Sequence, residues 1–220
     1  LILREVTAKK ALNLDTIRSI ITSVFQNESD EDVALLFDMT IVPSDTVKLL
    51  RELTDKLAFY FPIVEVINDK FTWSVGRDER FFPFLKIKES KINKKGILSL
   101  NIDSKLIKNY ESQNVIGYIP AKKKCAKTIL FTAHYDHLGR MGKDIYFPGA
   151  NDNASGTAML FSIAKYFKEN PSEFNIMFIA FAGEEAGLVG SKYFVEHPIV
   201  KLKKIKFVIN LDIMGSGEDG

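Results

Sequence analysis

Cysteine is nearly missing from this chain. Cys125 is the only one among 220 residues, so no disulfide can form within the chain. That neither requires nor excludes secretion, because many large secreted domains use no disulfides. As a nucleophile Cys125 is unconvincing, standing beside a lysine run at the start of an apolar stretch. An excess of one charge is missing too. The 30 basic and 28 acidic residues leave a net charge of +2, which supplies no field to draw nucleic acid or a membrane surface. The lysines gather in short clusters at Lys91/Lys94/Lys95, at residues 122–124 and at Lys201/Lys203/Lys204/Lys206, all in expected turns or strand approaches, where they are read as solvated. No apolar run nears the roughly 18 residues that span a bilayer, and no signal peptide is visible. The chain opens on Leu1 rather than Met, from which a missing N-terminus is expected.

The 46% hydrophobic and 26% charged residues are ordinary for a globular protein, and the length suits one large domain, or one domain with a smaller module. The first hundred residues carry little chemistry. Ile17, Ile20, Ile21, Val24 and Phe25 recur at helical spacing after a cap at Asn13 or Asp15. Residues 33–37 read as a short strand. Ser44 is placed to cap a helix whose Val47, Leu50, Leu53 and Leu57 form one stripe. Residues 59–67, 82–87 and 97–102 read as further strands, the last half exposed because Leu98, Leu100 and Ile102 alternate with polar residues. Phe71, Trp73, Phe81, Phe82 and Phe84 are read as packing. These elements suggest a small α/β module over residues 1–105.

From residue 106 the pattern changes. Residues 115–119 and 128–133 read as strands, paired as a hairpin across the turn at Pro120. A glycine-rich loop follows, then a helix over residues 155–168 with Ala158, Phe161, Ile163, Ala164 and Phe167 on its apolar side, stopped by Asn170-Pro171. Residues 174–182 and 205–211 read as buried strands, separated by a short helix over residues 188–196. Strands and helices in alternation predict an α/β fold: a mostly parallel sheet covered by helices on both faces.

The acidic and imidazole residues stand at the ends of those strands. His134 directly follows residues 128–133, Glu184 and Glu185 follow residues 174–182, and Asp212 follows residues 205–211. Parallel strands that end in the same sense end on one rim, where α/β proteins hold their sites. Asp152 lies just ahead of the helix at 155. One imidazole with three carboxylates is a hard N/O donor set, suited to zinc and less commonly to cobalt or manganese. Three carboxylates are a large charge for one divalent ion, and two ions sharing a carboxylate balance it better. Asp136 stands two residues beyond His134, on the same side of an extended segment, where its carboxylate can accept the other imidazole N–H. Glu184 and Glu185 are adjacent and point apart, so one can ligate while the other acts as general base.

These segments resemble the M28 family of metallopeptidases, the co-catalytic zinc aminopeptidases. The residues that match are His134-Tyr135-Asp136-His137, Pro148-Gly149-Ala150-Asn151-Asp152-Asn153-Ala154-Ser155-Gly156, Phe181-Ala182-Gly183-Glu184-Glu185-Ala186-Gly187, Gly190-Ser191 and Asn210-Leu211-Asp212. The resemblance implies a three-layer αβα zinc-exopeptidase fold, with residues 106–220 as the first part of its catalytic domain. It implies two zinc ions bridged by Asp152, His134 and Asp212 completing the first site, and Glu185 in the second. It implies Glu184 as the base that deprotonates a bridging water and passes the proton to the departing amine, and a cis peptide at Asp152–Asn153. The family takes a further histidine from much later in the chain. His137 is read as lining the loop and His197 as a helix-end residue, so that fifth ligand is expected outside this chain, which is read as a fragment of a longer enzyme, incomplete for activity on its own. The expected partner is a peptide substrate. Nucleic acid and a membrane-spanning segment are not expected, and a secreted, periplasmic or cell-envelope location follows from the resemblance alone. Residues 30–90 faintly resemble a protease-associated insertion. The competing readings are a glutaminyl cyclase or carboxypeptidase of the same fold, and a non-catalytic binding domain, which should have lost ligands that this chain retains.

Overall fold

The computed structural model describes residues 2–6, 22, 33–71, 74–76, 79–93, 97–123 and 127–215. The helix expected around Ile17–Phe25, and Trp73 and Cys125, lie outside the described residues. The chain divides into two compact units: Leu1–Thr72 with Asp78–Leu106, and Trp73–Arg77 with Ile107–Gly220.

The first unit is built on an all-parallel sheet in the order β1 (Ile2–Val6), β2 (Val33–Asp38), β3 (Ile63–Ile67), β4 (Phe84–Lys88). Strand β2 is buried along its whole length, as a parallel strand covered on both faces must be. Its alternating side chains divide between two cores. Leu35 and Phe37 join Leu50 and Leu57 of helix α1 (Ser44–Leu57), while Ala34 and Leu36 pack with Val64, Val66 and Leu98 on the other face. Ser44 is the first helical residue rather than the cap, and Pro43 takes the cap position with no side-chain hydrogen bond. The helix runs on to Leu57, so Phe59 and Tyr60 form its exit turn and the strand begins only at Ile63. No strand forms at residues 97–102. Leu98 alone reaches the core, while Ile97 and Ile102 are exposed. Phe71 and Phe81 are exposed rather than packed.

The second unit holds a four-stranded sheet in the order β10 (Ile205–Asn210), β6 (Thr128–His134), β9 (Asn175–Phe181), β5 (Val115–Ile119). β6 runs parallel to both its neighbours, and β5 is antiparallel to β9. The expected β5–β6 hairpin therefore does not form. β6 and β9 are the most apolar strands, and each gains most burial with a partner on both edges. β5, with Gly117 and alternate exposed residues, takes the outside position. A two-stranded ribbon, β7 (Arg140–Met141) and β8 (Ile145–Tyr146), rises in the loop after β6.

Helix α2 (Gly156–Glu169) packs on one face, setting Leu160, Ile163, Ala164 and Phe167 against Phe131 and Phe178. Those four positions follow the i, i+3, i+4, i+7 rule, whereas Phe161 sits off that stripe and is exposed. Helix α3 (Val189–Glu196) covers the other face, with Phe194 against Leu130, Met177 and Ile179. The result is a sheet with a helix on each face. Strand β10 was expected to be buried. Among the described residues it pairs with β6 alone, leaving Phe207 and Val208 exposed.

Candidate metal centre

The strand ends lie level because the pairing is parallel and in register. His134 pairs with Phe181, and the Leu211 N–H donates to the Thr132 carbonyl at 2.8 Å. His134, the segment 182–185 and Asp212 thus leave the sheet next to one another.

Asp152 reaches the same rim by a different route. A wide helical turn, Ala150–Ser155, enters α2 and is broken at Asp152 and Asn153, which leave helical φ/ψ; the peptide between them is cis. Asn153, 2% exposed, fixes this turn. Its amide donates to the Leu211 carbonyl at 2.9 Å and its side-chain oxygen accepts from the Gly156 N–H at 3.0 Å. Gly156 must lack a side chain, since a Cβ there would stand 2.3 Å from the Leu211 carbonyl oxygen. One buried amide and one glycine thereby lock the start of α2 to the exit of β10, bringing Asp152 beside Asp212. Sequence reasoning had no role for either residue, although both lie inside the matched motif.

His134 Nε2 stands 3.2 Å from Asp152 Oδ1 and 3.4 Å from Asp212 Oδ1, with the ring 4% exposed. Its Nδ1 faces the backbone carbonyl of Asp136 at 3.1 Å, while the Asp136 carboxylate is 3.7 Å away. The carbonyl, not the expected carboxylate, orients the imidazole. The carboxylate is engaged elsewhere: Oδ1 accepts from the Glu184 N–H at 3.0 Å and Oδ2 from the Glu185 N–H at 3.1 Å. Asp136 therefore clamps the two backbone amides of the acidic pair.

His134, Asp152 and Asp212 present ligand atoms that all lie within 4.8 Å of one another; His137, Asp152 and Glu185 form a second such group, sharing Asp152 with the first. The five donors are two imidazoles and three carboxylates, which fits a divalent ion of the zinc type. Two buried atoms of the second group, His137 Nδ1 and Glu185 Oε1, stand 2.8 Å apart and have no hydrogen-bond partner among the described residues, which suits a pair of donors to a cation. Glu184 is in neither group. Burial is the main cause that pushes its carboxyl above the usual carboxylate range; His134 pulls it down, and Glu185, Asp136 and Asp212 add to the rise. A mostly apolar cavity of about 400 Å³ opens beside these groups, lined by His134, Glu184 and Asp212 together with Leu130, Phe181 and Leu188. His197 stays away at the end of α3, its ring stacked on Tyr193.

The matches to known proteins fall on the second unit. Residues 114–220 match the model of Peptidase family M28. Aminopeptidase YwaD of Bacillus subtilis is 41% identical over 114 residues, covering 51% of this chain and 24% of that protein. A protein named "Probable zinc metalloprotease" in Pyricularia oryzae is 33% identical over 105 residues, covering 47% of this chain and 21% of the relative. The chain spans about a quarter or less of the length of these relatives. Among solved structures, an Acidobacteriales bacterium glutaminyl cyclase aligns at 29% identity and a TM-score of 0.40, covering 46% of this chain and 38% of the other.

Proposed function

We propose, from the match of residues 114–220 to the model of Peptidase family M28, that this chain carries the metal-binding core of a zinc-dependent aminopeptidase. The observation that carries this reading is the meeting of His134 Nε2 with Asp152 and Asp212 beside a partly buried Glu184. His134, Asp152 and Asp212 would hold one ion, and Asp152 and Glu185 would contribute to a second. Zinc bound there would supply Lewis-acid polarisation of a carbonyl and lower the pKa of water.

The chain's own part is proton handling and alignment. Glu184 takes a proton from the attacking water as the water oxygen bonds to the scissile carbonyl carbon. It returns that proton to the amine nitrogen as the C–N bond breaks. A carboxylate placed beside the ligands but outside both donor groups is free to serve both directions. Asp136 holds the Glu184 backbone in place through its amide N–H, so the base approaches from a fixed direction. The cavity beside Glu184 accepts an uncharged part of the substrate.

The test is hydrolysis of a peptide with a free amino terminus against the same peptide N-acetylated. Cleavage of the free peptide alone, abolished by a chelator and restored by zinc, is the expected result. Cleavage of both, or release of a C-terminal residue, would overturn the aminopeptidase assignment. Cyclisation of an N-terminal glutamine without hydrolysis would replace it with cyclase activity.

A further inference from the structure

The geometry points to His137 as a direct ligand of the second metal position, through Nδ1, together with Asp152 and Glu185. The inference rests on the metal-centre reading above and adds a ligand that the sequence pattern did not supply. His137 Nδ1 and Glu185 Oε1 are 2.8 Å apart, which is an ion pair only if the ring is protonated; with a neutral ring neither atom has a hydrogen bond to another group among the described residues. Both atoms are shielded from water. Two polar atoms stripped of water and left without hydrogen bonds are costly unless something else satisfies them. A divalent cation that accepts one lone pair from each does so, and Asp152 lies within ligand range of both.

The imidazole is also held in place for that role. Gly149 has φ +63 and brings its backbone against the ring; a Cβ there would sit 2.9 Å from His137 Cγ and Cδ2. One residue earlier, Asp136 is fixed to the Glu184 and Glu185 amides. The backbone that carries His137 and the backbone that carries Glu185 are therefore joined by two hydrogen bonds, so the two side chains approach from tethered positions. A loop residue with no site role would need neither the glycine contact nor the tether.

The chain has 3 histidines, which makes the test direct. With histidine ring nitrogens labelled by ¹⁵N, zinc is titrated into the protein. Each ring is assigned by through-bond correlation to its own backbone, so no variant is needed. The expected result is that His134 Nε2 and His137 Nδ1 both move to the metallated position while His197 stays unchanged. A shift at His134 alone overturns this inference and leaves the proposed function standing. A shift at neither ring removes the proposed function, and this inference with it. A doubly protonated His137 that persists in saturating zinc means an ion pair with Glu185, and also overturns it. Equilibrium dialysis of His137→Gln gives a second measure. Loss of a ligand should weaken the second zinc by more than about 100-fold, beyond the roughly 10–100-fold typical of an orienting partner. The first zinc should change little. His197→Gln should bind both ions as the unaltered protein does, and an unchanged second zinc in His137→Gln would contradict the assignment.

Discussion

Glu184 and Glu185 are chemically identical neighbours that the backbone sends to different tasks. Asp136 accepts both of their amides, Glu185 turns toward His137, and Glu184 turns toward the cavity. Glu184→Gln should therefore keep zinc and lose turnover by about 10²–10⁴-fold, the range of general acid–base catalysis. Zinc analysis and steady-state rates on one sample check both halves, and near-normal turnover would take Glu184 out of the base role. Asp152→Ala should instead lose metal, since Asp152 is the carboxylate common to both donor groups. Two zinc ions per chain in that variant would contradict the sharing. That His134, Glu185 and Asp212 share a rim was readable in the sequence because strand ends follow from apolar runs and parallel ends lie together, whereas Asp152 was placed by its position ahead of a helix and by the resemblance. The job of Asp136 was not. A residue two positions from His134 suggested a side-chain contact with the ring, but the backbone beyond the strand end presents the Asp136 carbonyl instead. His137 was read as loop lining for the same reason: its approach to Glu185 depends on loop geometry and on the contact with Gly149.

The elements that matter most are joined at a few crowded points. At the start of α2, Gly156 leaves no room for a methyl group between the Leu211 carbonyl and Asn153. Gly156→Ala should force α2 away from the exit of β10, destabilise the second unit by roughly 1–3 kcal/mol as overpacking does, and weaken zinc binding together with stability. Urea unfolding and metal affinity measured in parallel check the linkage; lost stability with unchanged zinc affinity would contradict it. In the first unit, Glu65 on β3 is 1% exposed and accepts a hydrogen bond from Thr54 of α1 at 2.6 Å. Thr54→Val should cost about 1–3 kcal/mol by leaving that buried carboxylate short of its donor, and an unchanged urea midpoint would refute that role. Strand existence was legible in the apolar runs of β2, β6 and β9, whereas β1 and the short β7–β8 ribbon were not read and residues 97–102 form no strand. Strand order was less so. The β5–β6 hairpin was inferred from nearness along the chain, whereas the crossover through α2 sets β9 between them.

Taken as a molecule, the chain separates its chemistry from its first unit: every donor of both metal groups lies in the second. Zinc binding should therefore stabilise the second unit and leave the first untouched. A ligand at 1,000 times its dissociation constant adds about 4 kcal/mol to the unit that binds it. Calorimetry with and without zinc should show one transition moved upward, with the transition that responds to Thr54→Val unmoved; a shift of both would tie the first unit to the metal. No described helix is long and apolar enough to cross a membrane. The central claim is that residues separated along the chain meet on a common metal. The most direct measurement is a zinc-loaded crystal with anomalous data collected on both sides of the zinc edge. The account predicts the strongest peak bonded to His134 Nε2, Asp152 and Asp212 at about 2.0–2.2 Å. Bound zinc elsewhere, with those three side chains apart and without a peak between them, would contradict it.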